Sequence, residues 1–156
     1  MHSAKIASKI REQIRRFSGE VARGLPKTAA RLVGEVIYGV QSRGSVRLSE
    51  IGRALEASIP LKKVMARLSR QLNRPGLRKR VRENLLRLAA PRVGAETLLV
   101  VDLTDISKPY ARKMEYLAQV RDGSTKKLAN GYWCCQVVGM ERGSAAVMPL
   151  DQELYS

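Results

Sequence analysis

Apolar residues recur every three or four positions through the first part of the chain and then give way to continuous apolar runs of strand length. Ile6, Ile10, Ile14 and Phe17 predict an amphipathic helix over 4–17, with Lys9, Arg11, Arg15 and Arg16 on its outer side. After the punctuation of Gly24 and Pro26, Leu32, Val33, Val36, Ile37 and Val40 resume the period and predict a second helix over 27–40. Residues 41–45, holding Gly44, read as a polar turn. Ser49 can cap a short helix carrying Glu50, Ile51, Ala54 and Leu55, its acid placed where the helix dipole favours it. Pro60 suits the first position of the next helix, 60–73, in which Leu61, Val64, Met65, Leu68 and Leu72 share one side. A further helix is expected over 77–89.

From residue 97 the period changes. Thr97-Leu98-Leu99-Val100-Val101-Asp102-Leu103-Thr104 follows a break at Pro91 and Gly94, and its four consecutive apolar residues are too few for a core helix. They predict a strand buried on both faces. Residues 105–110 read as a polar loop, 113–120 as a short helical turn, and Asp122-Gly123-Ser124 as a loop. Gly131 opens a second strand over 132–140, and the turn 141–144 leads to a third over 145–150, a hairpin. The expected fold class is α+β: a helical region over 1–90, a linker over 91–96, and a sheet over 97–156.

The chain carries 29 Lys and Arg against 14 Asp and Glu, a net charge of +15, and the charge is unevenly placed. Residues 1–95 hold 22 basic side chains and 6 Glu, whereas 96–156 hold 7 basic and 8 acidic ones. A cationic segment beside a near-neutral one points to a polyanion as the partner of the first. No stretch approaches the ~20 apolar residues of a membrane span, and no signal-peptide run leads the chain. A cytoplasmic protein is expected, with no membrane partner and no small-molecule substrate. Cys134 and Cys135 are adjacent and lack the second pair a zinc site needs, so they read as strand residues facing opposite ways.

On 60–73, Lys63, Arg67, Arg70 and Arg74 lie away from the apolar side, and the stripe continues through Arg78, Lys79, Arg80, Arg82 and Arg87 with only Glu83 opposing it. Two short helices joined by a turn, the second basic outward, match the helix-turn-helix plan. A solvated basic face is the plainer alternative, but an array this dense repels itself until a polyanion binds. Aromatic residues make up 4% of the chain, too few for the stacking platform that single strands and RNA loops require, so duplex DNA is favoured. Arg67 and Arg70 are the candidates for base edges, and Lys62, Lys63, Arg74, Arg78, Lys79 and Arg80 for phosphates.

Asp102 closes the apolar run of the first strand. A carboxylate there is costly to bury unless a metal ion or hydrogen-bonded cation relieves it; capping the following turn is the ordinary role. The run Val101-Asp102-Leu103-Thr104, followed at a distance by Gly131-Tyr132-Trp133, resembles the start of the catalytic domain of bacterial insertion-sequence transposases of the DDE class. Leu48-Ser49-Glu50-Ile51 and Arg67-Leu68-Ser69-Arg70 resemble their N-terminal DNA-binding region.

The resemblance implies the first three strands of an incomplete RNase H-like sheet, with Asp102 as the first catalytic aspartate and metal ligand. It implies Mg²⁺ or Mn²⁺ in the complete catalytic domain only, transposon-end duplex DNA as partner, and a homodimer on that DNA. Such enzymes cut DNA by in-line displacement between two metal ions about 3.5–4 Å apart, held by three carboxylates. Asp105, Glu141, Asp151 and Glu153 do not stand where the family places the other two, so this chain is expected to be a truncated transposase that binds DNA without cutting it. The alternatives are a non-catalytic helix-turn-helix regulator using 97–156 for dimerisation, and an RNA-associated basic protein.

Overall fold

The computed structural model describes the backbone of residues 2–143 and 146–156 and the side chains from Lys5. Ser144 and Ala145, at the expected end of a turn and start of the third strand, lie outside the described residues. Five helices come first: α1 (His2–Val21), α2 (Lys27–Arg43), α3 (Leu48–Ala54), α4 (Leu61–Leu72) and α5 (Leu77–Ala89). A 3-10 turn (Ala90–Arg92) leads to strands β1 (Thr97–Ser107), β2 (Ala118–Arg121), β3 (Leu128–Glu141) and β4 (Val147–Tyr155). The fold is therefore α+β, in two compact units that divide between Asn84 and Leu85, inside α5. Among the described residues no helix is long and apolar enough to cross a membrane.

The helical unit is built on a small core. Leu32, Ile51, Val64 and Leu68 are at most 2% exposed. Val64 and Leu68, four residues apart, project from one side of α4, and burying each is worth about 1.5–3 kcal/mol. α1 runs past Phe17 because Ser18, Val21 and Ala22 are the residues drawn into this core, while Ile6, Ile10 and Phe17 stay 56, 49 and 47% exposed. The stripe expected to face inward is thus open from Ile6 to Phe17, with Ile14 half-buried. α2 continues through the expected polar turn to Arg43 and stops at Gly44, whose φ of 61° is the left-handed cap and whose N–H donates to the Val40 carbonyl at 2.8 Å.

Ser49 does not cap α3. The helix begins one residue earlier, the Arg47 carbonyl accepts the N–H groups of Glu50 and Ile51 at 3.0 Å each, and Ser49 lies inside the first turn. Glu50 still stands where the dipole favours it and pairs with Arg53. Pro60 is the residue just before α4, its carbonyl accepting from Lys63 and Val64 at 2.9 and 3.2 Å. Six residues, 55–60, connect α3 to α4.

The second unit holds a four-stranded antiparallel open sheet organised around β3. β1 pairs along one side of it, from Thr97 opposite Glu141 to Ser107 opposite Gly131. On the other side β2 pairs with 128–131 and β4 with 133–140, end to end. Gly131 lies inside β3 rather than opening it, for a physical reason: a Cβ there would stand 2.5 Å from the Ile106 carbonyl oxygen and 2.7 Å from Val120. A bulge lies where Val137 opposes Asp151 and Val138 opposes Pro149, leaving Leu150 extra on β4. Burial along β4 slips phase at this point: Met148 and Leu150 are covered before it, Asp151 and Glu153 after it.

Four expectations for this region are corrected. The sheet has four strands, because 118–121 forms β2 instead of completing a helical turn; Val120 is fully buried, and the loop before it is held to β3 by Asn130 Nδ2 donating to the Ala111 carbonyl at 2.7 Å and Tyr132 Oη to that of Glu115 at 2.7 Å. β1 continues through Asp105, Ile106 and Ser107, since Ile106 keeps the alternation and pairs with Tyr132. Asp102 accordingly sits in mid-strand and caps no turn. Nor is β1 buried on both faces: Leu98, Leu99, Val100, Val101 and Leu103 are 41–66% exposed, on a strand that lies at the edge of the sheet. Cys134 and Cys135 do alternate, the first buried and the second half-buried.

Candidate nucleic-acid interface

The sequence of α4 sorts its side chains by helical geometry. Val64 and Leu68 are buried, Leu61 and Met65 half-buried, and Lys62, Lys63 and Arg70 fully on the solvent side. Lys63, Arg67 and Arg70, at spacings of four and three, lie along one line of the helix. Arg74 follows after the helix end and donates through Nη1 to Thr28 Oγ1 at 3.2 Å. Arg78, Lys79 and Arg80 are exposed on the first turn of α5, Arg80 pairing with Glu83 at 3.1 Å. The eight cationic candidates therefore fall on two successive helices of the chain and the turn between them.

Arg67 differs from the others. It is half-buried, and its Nη1 and Nη2 donate to the two carboxylate oxygens of Glu35, on α2, at 2.6 and 3.1 Å. Arg31 Nε donates to the same carboxylate at 2.8 Å. The Glu35 side chain is only 13% exposed. Burial pushes its pKa up, but the hydrogen bonds from Arg67 and Arg31 outweigh that and hold it below the ordinary carboxyl value. Glu83 is thus not the only acid opposing the stripe; the fold brings a second from 32 residues away. The signal available in the sequence was a lone Glu on the inner side of an otherwise cationic helix, four residues after Arg31.

Asp102 is exposed at the middle of β1, opposite Gln136, which in turn stands opposite Gln152 of β4. Opposed residues share a face of the sheet, so the neighbours of this carboxylate across the ladder are two amides. Asp105, Glu141, Asp151 and Glu153 are opposed to Trp133, Thr97, Val137 and Cys135, which places all four on the other face. Among the described residues no three His, Cys, Asp or Glu side chains converge on a metal position. Asp102 is a single carboxylate, and a hard divalent ion draws on several oxygen ligands, so the acids of this chain do not by themselves fit Mg²⁺.

Asp105 has other work. Its Oδ2 accepts from Ser107 Oγ at 2.7 Å and its Oδ1 from the Gly123 N–H at 3.0 Å, tying the end of β1 to the β2–β3 turn. Those two bonds hold its carboxyl below the usual range. Asp122 organises that turn by accepting from Ser124 Oγ and from the N–H groups of Ser124 and Thr125, which depresses its pKa further. Comparison of the sequence with protein-family models and with curated proteins finds no match.

Proposed function

We propose that this chain binds duplex DNA through the outward side of α4 and the start of α5, as the leading part of an insertion-sequence transposase of the DDE class. The observation that carries the binding is the division of α4 into a buried apolar side and an exposed side bearing Lys62, Lys63 and Arg70, within a cationic unit. Lys62, Lys63, Arg74, Arg78, Lys79 and Arg80 serve as phosphate contacts and Arg70 as the candidate for a base edge. The six-residue connection between α3 and α4 is longer than the three or four residues of a tight helix-turn-helix, so the pair is read as a looser relative of that motif.

Support for the transposase part is the order of strands. The strand bearing Asp102 pairs antiparallel with the strand bearing Gly131-Tyr132-Trp133, and that strand pairs with the next, in the succession the resemblance implies. The exposed apolar side chains of β1 fit a strand meant to lie inside a larger sheet. Asp102 serves as the first of three metal-binding acids only when the other two are supplied from outside these 156 residues. No cleavage step is assigned to this chain alone.

The test is duplex binding by the full chain as salt is raised. Lys63→Ala with Arg70→Ala is expected to weaken binding and lower the log–log salt slope by about 0.9 for each phosphate contact removed. An unchanged slope, or equal affinity for a neutral competitor surface, would overturn the assignment. The open edge and faces of β1 favour one second reading, a DNA-binding regulator that dimerises through this sheet. Sedimentation of the chain separates them, since a stable dimer dissociated by a charge in β1 belongs to the regulator.

A further inference from the structure

The Glu35 carboxylate raises a question of charge. On a unit meant to attract a polyanion, an acid weakens the attraction, so its place beside Arg67 needs a structural return. Geometry supplies one. Apolar contacts at Val64 and Leu68 hold α4 against the core but are non-directional, so a polar contact of fixed geometry adds a restraint on its roll that they lack. A two-pronged bond from a planar guanidinium to both oxygens of a carboxylate fixes direction as well as distance. The Glu35–Arg67 contact does this on the shoulder of α4, between its buried side and the exposed side that carries Lys63 and Arg70. Arg31 braces the same carboxylate from α2.

We propose that Glu35 and Arg67 form a strut that sets the angle at which α4 presents Lys63 and Arg70, and that Arg67 positions the DNA-binding surface instead of contacting DNA. The inference rests on the nucleic-acid reading above. It withdraws Arg67 from the base-edge candidates and adds Glu35 as a positioning residue. A helix entering a groove has to be held within about 10–20° of its productive orientation, which makes loss of the strut a loss of affinity even where the helix persists.

Four forms of the 156-residue chain test it against a mixed-sequence duplex of about 30 base pairs, each checked by circular dichroism and thermal melting: wild type, Arg67→Met, the paired variant Glu35→Leu with Arg67→Met, and Lys63→Ala. Arg67→Met leaves the half-buried carboxylate with Arg31 as its one remaining partner shown here and frees α4 from it, and is expected to lower both the melting temperature and the affinity, the latter about tenfold. The paired variant replaces the strut by an apolar contact of similar reach, as buried ion pairs tolerate, and is expected to recover both. Its salt slope equals that of wild type although it lacks the Arg67 charge. Lys63→Ala melts like wild type and lowers the slope by about 0.9.

A paired variant whose slope also falls by about 0.9 makes Arg67 a phosphate contact and overturns the strut while leaving DNA binding in place. Wild-type affinity for Arg67→Met overturns it equally. If wild type itself fails to bind the duplex, the nucleic-acid reading falls and takes the positioning role with it, an outcome visible in all four proteins at once.

Discussion

A Cβ on Gly39 would lie 2.7 Å from Cγ2 of Ile51 and 3.0 Å from its Cα, so α2 and α3 meet here with no room for a side chain. Two effects of opposite sign follow for Gly39→Ala. Alanine favours a helix over glycine by about 1 kcal/mol. Against that stands a contact whose other partner includes backbone, and forcing extra volume into a packed seam costs about 1–3 kcal/mol. The clash is expected to win, lowering the urea midpoint of the helical unit; a midpoint raised by the substitution would show that the seam yields.

The depressed pKa of Glu35 sets a direction for acid stability. The folded value lies below the unfolded one, so its contribution is complete above the ordinary value of 4.5 and is lost as pH falls through the folded pKa. Urea midpoints are therefore expected to drop on acidification below about pH 5, with a smaller drop for Glu35→Gln. Parallel curves for the two proteins would mean the carboxylate is not held by Arg67 and Arg31 in solution.

β1 and β2 are expected to differ in their tolerance of substitution. Val101 is 66% exposed, so Val101→Lys should change stability by no more than about 0.5 kcal/mol and should suppress any concentration-dependent association at that open edge. Val120 is fully buried, and Val120→Ala is expected to cost about 1–3 kcal/mol. Chemical denaturation and analytical ultracentrifugation measure both; a severe loss at Val101 would place that strand in the core after all.

Asp102→Ala is expected to leave duplex affinity and its salt slope unchanged in this chain, because the exposed carboxylate belongs to the near-neutral sheet unit. In a longer protein carrying the remaining acids, the same substitution is expected to abolish cleavage and spare binding. Cleavage retained without Asp102 would remove it from the metal site.

Much of this was legible in the sequence where the deciding forces are local. α5 and the start of α4 within one residue of Pro60 follow from period and proline geometry, and Asp122-Gly123-Ser124 forms the turn its composition implies. The alternation of Cys134 and Cys135 follows from strand pleating. What was missed depended on partners distant in the chain. No short window shows that Arg67 meets Glu35, or that Asn130 and Tyr132 hold the loop that becomes β2. The apolar run of β1 correctly signalled a strand, but hydrophobicity reports what a segment can bury and not whether anything covers it. The four acids were visible from the start; their common face, opposite Asp102, required the register.

Leu150 gives β4 a counting error that any mutational scan should hear. Tolerance along the strand should alternate residue by residue from Val147, miss a beat at Leu150, and resume with odd numbers where even ones stood. Deleting that single residue would let Asp151 follow Pro149 opposite Val137 and restore strict alternation with Met148 and Asp151 on the faces they already hold, so a one-codon loss is absorbed here, where one elsewhere in the strand would turn over the side chains beyond it.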